Sequence, residues 1–192
     1  MPHHILKVTL AHIRPAIWRR LAVPSDFTLA DLHEVLQIAF DWEDCHLYSF
    51  TVGEQRYGIP DPDDPVDELD AESITLAQAL PRKGARAEYI YDFGDDWIHK
   101  ISVEGIERED GPRSSSRWRP PRSGAPVACL AGKRAGPPED CGGPYGYGEL
   151  LEALADIEHE RHDELVEWIG GDFDPEEFSL HDINHRLAAF GR

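Results

Sequence analysis

Apolar and polar residues alternate through HILKVTLAHI at residues 4–13, with Leu6, Val8 and Leu10 on one side, the period of a half-buried β-strand. Arg14 and Pro15 turn the chain into a second extended run, AIWRRLAV, so the pattern predicts an N-terminal hairpin. After Pro24 the period changes. In TLADLHEVLQIAF the residues Leu29, Leu32, Val35, Leu36, Ala39 and Phe40 recur at helical spacing, with Thr28 at the N-cap and Asp31 three residues on. His33 lies off that stripe and is expected to face solvent. HLYSFTV and QRYGI, separated by Gly53 and Glu54, predict a second hairpin. SITLAQAL predicts a short helix capped by Ser73 or Thr75, and AEYIYDF and WIHKISVEGI predict two strands joined by a GDD turn.

The second half of the chain reads as helix. Leu150, Leu151, Leu154 and Ile157 are helically spaced, and Leu165, Trp168 and Ile169 continue the pattern up to Gly170 and Gly171, as one bent helix or two. Asp174 with Pro175, and Ser179 with Asp182, mark further short helix starts. With strands mostly N-terminal and helices mostly C-terminal, the expected fold is α+β, a mainly antiparallel sheet covered by helices. The 192 residues suit one domain, residues 1–192, carrying a long insertion. No apolar run approaches the roughly 18 residues of a membrane span, no export signal is visible, and three cysteines make no disulfide framework, so the expected location is the cytoplasm.

Charge adds two biased stretches to this picture. The net charge is −18, which disfavours nucleic acid and anionic lipid as general partners. Residues 111–136 run against that trend with six bases and no acid. Their Pro, Gly and Ser content reads as a flexible basic loop within 107–136, and Arg117, Trp118, Arg119 and Arg122 could make a weak nucleic-acid contact. A solvated insertion lying on the protein's own acidic surface explains the same residues. DPDDPVDELDAE at 61–72 places acids at some calcium-loop positions, but Val66 stands where the turn needs glycine and Pro65 offers no side-chain oxygen. It reads as a solvated acidic loop.

Three constellations could carry chemistry. FGDDWIHK gathers Asp92, Asp95, Asp96 and His99, and strand alternation puts Trp97 and His99 on one side. A carboxylate beside an imidazole can bind metal or tune a proton, while the same aspartates can simply satisfy turn backbone. PPEDCGG at 137–143 holds Glu139 and Asp140 between rigid prolines and permissive glycines, a loop able to aim carboxylates at a cation. Cys129, Cys141, His159 and His162 form a chemically sound zinc set, but eleven residues separate the cysteines where compact zinc motifs use roughly two to four. Zinc is therefore a possible cofactor, against buried free thiols and solvated histidines. Cys45 beside His46 is expected to be packed rather than a reactive thiol. There is no phosphate loop or dinucleotide fingerprint.

Taken in order, IRPAIWRRLAVPSDFTLADLHEVLQIAFDW, HLYSF, YDFGDDWIHKI, PPEDCGGPYGY, the W-x-GG-x-FDPEEF ending and the later IN resemble the plasmid pRi ORF-three-like family. That group takes its name from the third open reading frame of an Ri plasmid and includes insertion-element passenger proteins labelled TnpR. The resemblance covers nearly the whole chain. It implies a compact α+β domain in a mobile-element setting and makes PPEDCGG a hallmark loop without a role. Related sequences often read ACPPED, and Gly136 replaces that cysteine here, which weakens a shared thiolate site. The resolvase label finds no support: Ser25 follows Arg14, Arg19 and Arg20 in a proline-flanked turn, and Tyr145 and Tyr147 sit among glycines.

The leading expectation is a binding or interaction domain whose GDDW and PPEDCGG corners meet to recognise a protein or a small cationic ligand. Its candidate residues are His46, Asp92, Asp95, Asp96, Trp97, His99, Glu139 and Asp140. The alternative is a metal-assisted enzyme using that Asp/His cluster, with His46 or His99 as ligand or base. Whether the chain is an enzyme stays open at this point, leaning against, and its ligand, partner and oligomeric state are open too.

Overall fold

The structure is a computed structural model and describes residues 1–61, 68–108, 127–171 and 173–189. The strands are β1 (Pro2–Leu10), β2 (Trp18–Pro24), β3 (Tyr48–Val52), β4 (Gln55–Gly58), β5 (Leu69–Asp70), β6 (Arg86–Tyr91), β7 (Trp97–Arg108) and β8 (Ala128–Lys133). They form one sheet in the order β5-β4-β3-β6-β7-β1-β2-β8, antiparallel except for the short β4/β5 pair. The helices are α1 (Leu29–Phe40), α2 (Leu76–Ala79), α3 (Gly143–Ala155), α4 (His162–Ile169) and α5 (Leu180–Leu187). The fold is α+β, with strands mainly N-terminal and helices mainly C-terminal.

Alternation decides which sheet face is dry. Leu6, Val8 and Leu10 of β1, Tyr89 and Tyr91 of β6, and Trp97, His99, Ile101 and Val103 of β7 are all buried. Helix α1 packs on that face: the Phe40 ring meets the His99 ring edge-on at 4.8 Å. The apolar stripe of α1 is fully buried at Leu29, Leu32, Val35, Leu36 and Phe40, each side chain contributing roughly 1.5–3 kcal/mol before chain entropy is charged. Its start is a capping box, with Thr28 Oγ1 accepting from Asp31 N at 3.0 Å and Asp31 Oδ2 accepting from Thr28 N at 2.7 Å. The opposite face is polar, as where Arg20 and Glu104 pair through two hydrogen bonds of 2.6 and 3.1 Å. Strand β8 has an open edge that α5 closes. Asn184 Oδ1 accepts from Cys129 N and Asn184 Nδ2 donates to Cys129 O, both at 2.9 Å, so one side chain stands in for a neighbouring strand.

Several expectations need correction. His33 is buried, not exposed: its ring stacks on Tyr48 at 3.7 Å, Nδ1 lies 2.7 Å from the Tyr89 hydroxyl and Nε2 2.7 Å from Asp44 Oδ1. The polar ring is tolerated because both nitrogens find partners. The 107–136 loop is too long as read, because 128–133 form β8; Arg134 from the same basic run is buried and donates to the carbonyls of Pro15 and Pro175. Asp174 and Pro175 start a turn, and only Ser179 caps a helix. Of the two alternatives for the long C-terminal pattern, one bent helix or two, the chain forms two, α3 and α4. Arg117, Trp118, Arg119 and Arg122, and residues 62–67 of the acidic 61–72 stretch, lie outside the described residues.

Candidate functional site

Strand β6 ends at Tyr91, and Asp92 leaves it in a left-handed conformation, φ 57°. Asp92 Oδ1 accepts from Gly94 N at 2.8 Å, an Asx turn that holds the corner, and Asp92 Oδ2 remains for other partners. The GDD corner and the PPEDCGG corner touch. Gly142 N donates to Asp95 Oδ2 at 3.1 Å, and Gly143, at φ +66°, lies so close to Asp95 that a Cβ there would stand 2.4 Å from the Asp95 carbonyl oxygen. Glycine at 143 is required twice, by its φ and by this approach. Trp42 Nε1 donates to Pro137 O at 2.8 Å and ties the start of the same loop to the end of α1.

Between the two corners His46 is ringed by carboxylates. Its Nε2 lies 3.0 Å from Asp140 Oδ1, 3.7 Å from Asp92 Oδ2 and 3.9 Å from Glu139 Oε2. The first lacks the alignment of a hydrogen bond and the other two are too long for one, and His46 Nε2 and Glu139 Oε2 are both buried with no hydrogen-bond partner. The other oxygen of Glu139 is well held: Oε1 accepts from the Tyr91 hydroxyl and from Glu43 N, each at 2.9 Å. Burial, with Cys45 and Glu139 alongside, pushes the Tyr91 phenol well above its ordinary pKa, so it stays a donor. Asp140 adopts φ 54° and is the exposed member of the group. Cys45 adds a thiol: its Sγ belongs to a group with His46 and Glu139 whose ligand atoms lie within 4.8 Å of one another. The same spacing holds for His46, Asp92 and Asp140.

Of the eight candidates, the structure brings His46, Asp92, Glu139 and Asp140 together. Asp95 clamps the corners through Gly142, and Asp96, exposed at φ 54°, serves the turn. Trp97 and His99 do share a side, but it is the core side. Trp97 packs edge-on against Tyr147 at 6.4 Å, and His99 is enclosed by Phe40, Trp42 and Tyr89. His99 Nδ1 donates to Trp97 O at 2.8 Å, and burial drives its pKa down to about 3, so it is a neutral core residue. Cys129, Cys141, His159 and His162 do not assemble. Cys129 is buried on β8, its thiol raised to about 11 by burial, and Cys141 is raised to about 12 by burial and then by Asp95. His162 Nδ1 is satisfied by Ala153 O at 2.7 Å, and His159 Nδ1 accepts from Arg161 N at 3.2 Å. Cys45 is exposed rather than packed, and desolvation with the nearby acids raises its thiol. Ser25 is buried with its hydroxyl 2.8 Å from His4 Nδ1, a structural contact.

Two supporting residues escaped sequence reasoning, Tyr91 and Trp42. Nothing local to AEYIYDF marks the Tyr91 hydroxyl as the anchor of a carboxylate 48 residues away.

Related proteins share this architecture. A crystal structure of a protein of unknown function, MM3350 from Methanosarcina mazei Go1, superposes with a TM-score of 0.77 at 38% identity, covering 94% of this chain and 96% of that one. An uncharacterized protein y4hQ from Sinorhizobium fredii is 40% identical over 181 residues, 93% of this chain and 87% of the relative. Residues 3–182 match the family described as plasmid pRiA4b ORF-3-like protein, and with that extent of match the chain belongs to the plasmid pRiA4b ORF-3-like family.

Proposed function

We propose that this protein is a binding domain whose resident ligand is a divalent cation, held by His46, Asp92, Glu139 and Asp140. The observation that carries the reading is the buried pair of unsatisfied atoms, His46 Nε2 and Glu139 Oε2, facing each other at 3.9 Å with two further carboxylates around them. Ligands bound tetrahedrally at about 2.1 Å stand about 3.4 Å apart, so separations of 3.0–3.9 Å around His46 match a first shell with small adjustments. One imidazole with carboxylates suits zinc, manganese or ferrous iron better than calcium, which takes oxygen ligands. The Tyr91 and Glu43 bonds to Glu139 are the outer contacts that aim a ligating carboxylate.

Solvent exposure of Asp140 favours a second reading, metal-assisted catalysis, because it leaves one side of the site open for a water ligand. The family's plasmid description supports a mobile-element setting, and the three free thiols support a reducing, cytoplasmic location. Elemental analysis of untagged protein, followed by calorimetric titration of chelator-treated protein with Zn²⁺ and Mn²⁺, tests the site. We expect one ion per chain, weakened about a hundredfold or more in His46→Ala. A metal content near zero together with no saturable binding defeats the proposal.

A further inference from the structure

A cavity of about 410 Å³ opens between the end of α1, the Pro137–Pro138 segment and the residues leading into α5. Arg19 of β2 lines it, although the residue is only 3% exposed. Its guanidinium is sandwiched between the rings of Phe40, at 4.9 Å, and Phe178, at 5.0 Å. Nε donates to Ala39 O at 2.7 Å, and Nη1 donates to Trp18 O at 3.0 Å and Lys133 O at 3.1 Å. A guanidinium carries five N–H groups, so these bonds leave the two on Nη2. No carboxylate forms an ion pair with Arg19 among the described residues; Asp41 acts on it from longer range and is itself paired with Arg186. Desolvation lowers the Arg19 pKa to about 10, which still leaves it cationic at neutral pH. A buried cation without a counterion is a costly arrangement in a finished core.

The rest of the lining says which counterion fits. Ala39, Ala135, Pro137, Phe173 and Ile183 make apolar walls, and the exposed carboxylates of Asp174, Glu177 and Asp182 stand at the rim. We infer that this cavity binds a small amino-acid-like zwitterion, its carboxylate on the Nη2 edge of Arg19, its apolar part against the walls and its ammonium at the acidic rim. A dianion such as phosphate meets four lining carboxylates against only two guanidiniums, Arg19 and Arg186, and is disfavoured. The volume falls in the range of small-molecule sites, roughly 300–1,000 Å³. The inference stands independently of the cation site, which uses Glu139 and Asp140 rather than the two prolines before them.

The test is a titration of isotope-labelled full-length protein with L-leucine, 4-methylpentanoate, 3-methylbutylamine and inorganic phosphate. The readouts are the Arg19 Nε–H and Ile183 methyl resonances. Leucine should give saturable shifts at both with a Kd of about a millimolar, 4-methylpentanoate should bind more weakly, and 3-methylbutylamine should give none. Arg19→Lys keeps the charge but loses the planar donor edge and should weaken leucine about tenfold or more. Should that variant fail to fold, Asp182→Asn at the exposed rim should weaken leucine while leaving 4-methylpentanoate unchanged. Absence of saturable shifts with either carboxylate up to about 20 mM overturns the inference. So does equal binding of the amine, or phosphate binding tighter than leucine.

Discussion

Removing one oxygen atom from Tyr91 tests whether its hydroxyl helps to hold the PPED loop to the sheet. Tyr91→Phe keeps the ring, which stacks on Trp42 at 4.9 Å, so no cavity forms. It deletes the 2.9 Å bond donated to Glu139 Oε1 and the 3.2 Å bond accepted from Cys45 N. A hydrogen bond to a charged partner contributes about 1.5–3 kcal/mol. Glu139 Oε1 keeps its bond from Glu43 N and Cys45 is exposed enough for its amide to be rehydrated, which puts the loss near the lower end, about 1.5–2 kcal/mol. A chain of 192 residues has an unfolding entropy near 0.4 kcal/mol/K, so the same loss should lower Tm by about 4–5 °C. Urea unfolding followed by tryptophan fluorescence measures it directly, with the m-value expected to stay unchanged. Zinc affinity should fall about tenfold in parallel, since Glu139 loses part of its aim. A stability change under about 0.5 kcal/mol would show that the other ties, from Trp42 Nε1 to Pro137 O and from Gly142 N to Asp95 Oδ2, suffice to hold the loop, and the argument for Tyr91 would fail.

Two further outcomes follow from the geometry. Gly142→Ala and Gly143→Ala both force alanine into positive φ, at roughly 1–2 kcal/mol each, but only Gly143→Ala also drives a Cβ to 2.4 Å from the Asp95 carbonyl. Denaturant titration should therefore find Gly143→Ala worse by about 1–2 kcal/mol or more, with metal binding lost as the corners separate; equal losses would refute the close approach. Acid should destabilise the protein through its buried histidines. His99 is held neutral down to about pH 3 in the folded state, whereas the unfolded chain protonates it near 6.5, so the unfolded form binds more protons in that window. Stability is full above pH 6.5 and falls as pH drops toward 3, by up to about 1.4 kcal/mol per pH unit from this one group. His4 and His33, both lowered chiefly by burial, add to the slope in the same direction. Comparing unfolding at pH 7 and 5 in wild type and His99→Phe checks it: the variant should show a shallower fall, and an unchanged slope would rule out His99 as a source.

Local pattern was enough for much of the scaffold. The alternation of Leu6, Val8 and Leu10, the stripe from Leu29 to Phe40 and the Thr28 to Asp31 cap depend on neighbours two to four residues away, and such intervals can be read directly from a string of letters. The acidic corners could be recognised for the same reason, through their glycines and aspartates. What each polar residue faces could not be read that way. His46 follows Glu43 and Asp44 and His99 follows the aspartate-rich turn, yet one sits among carboxylates while the other is sealed under Phe40 and Trp42. His33 lies off the helical stripe and is buried because Tyr48 and Tyr89 cover that side of α1. Arg19, next to half-buried Arg20 and near exposed Arg14, became a buried cation because strand pairing turned it under the helices. Period and capping arise within a single element. Burial, and the meeting of Asp92 with Glu139 and Asp140, are properties of packing between elements far apart in the chain, and only the folded structure supplies them.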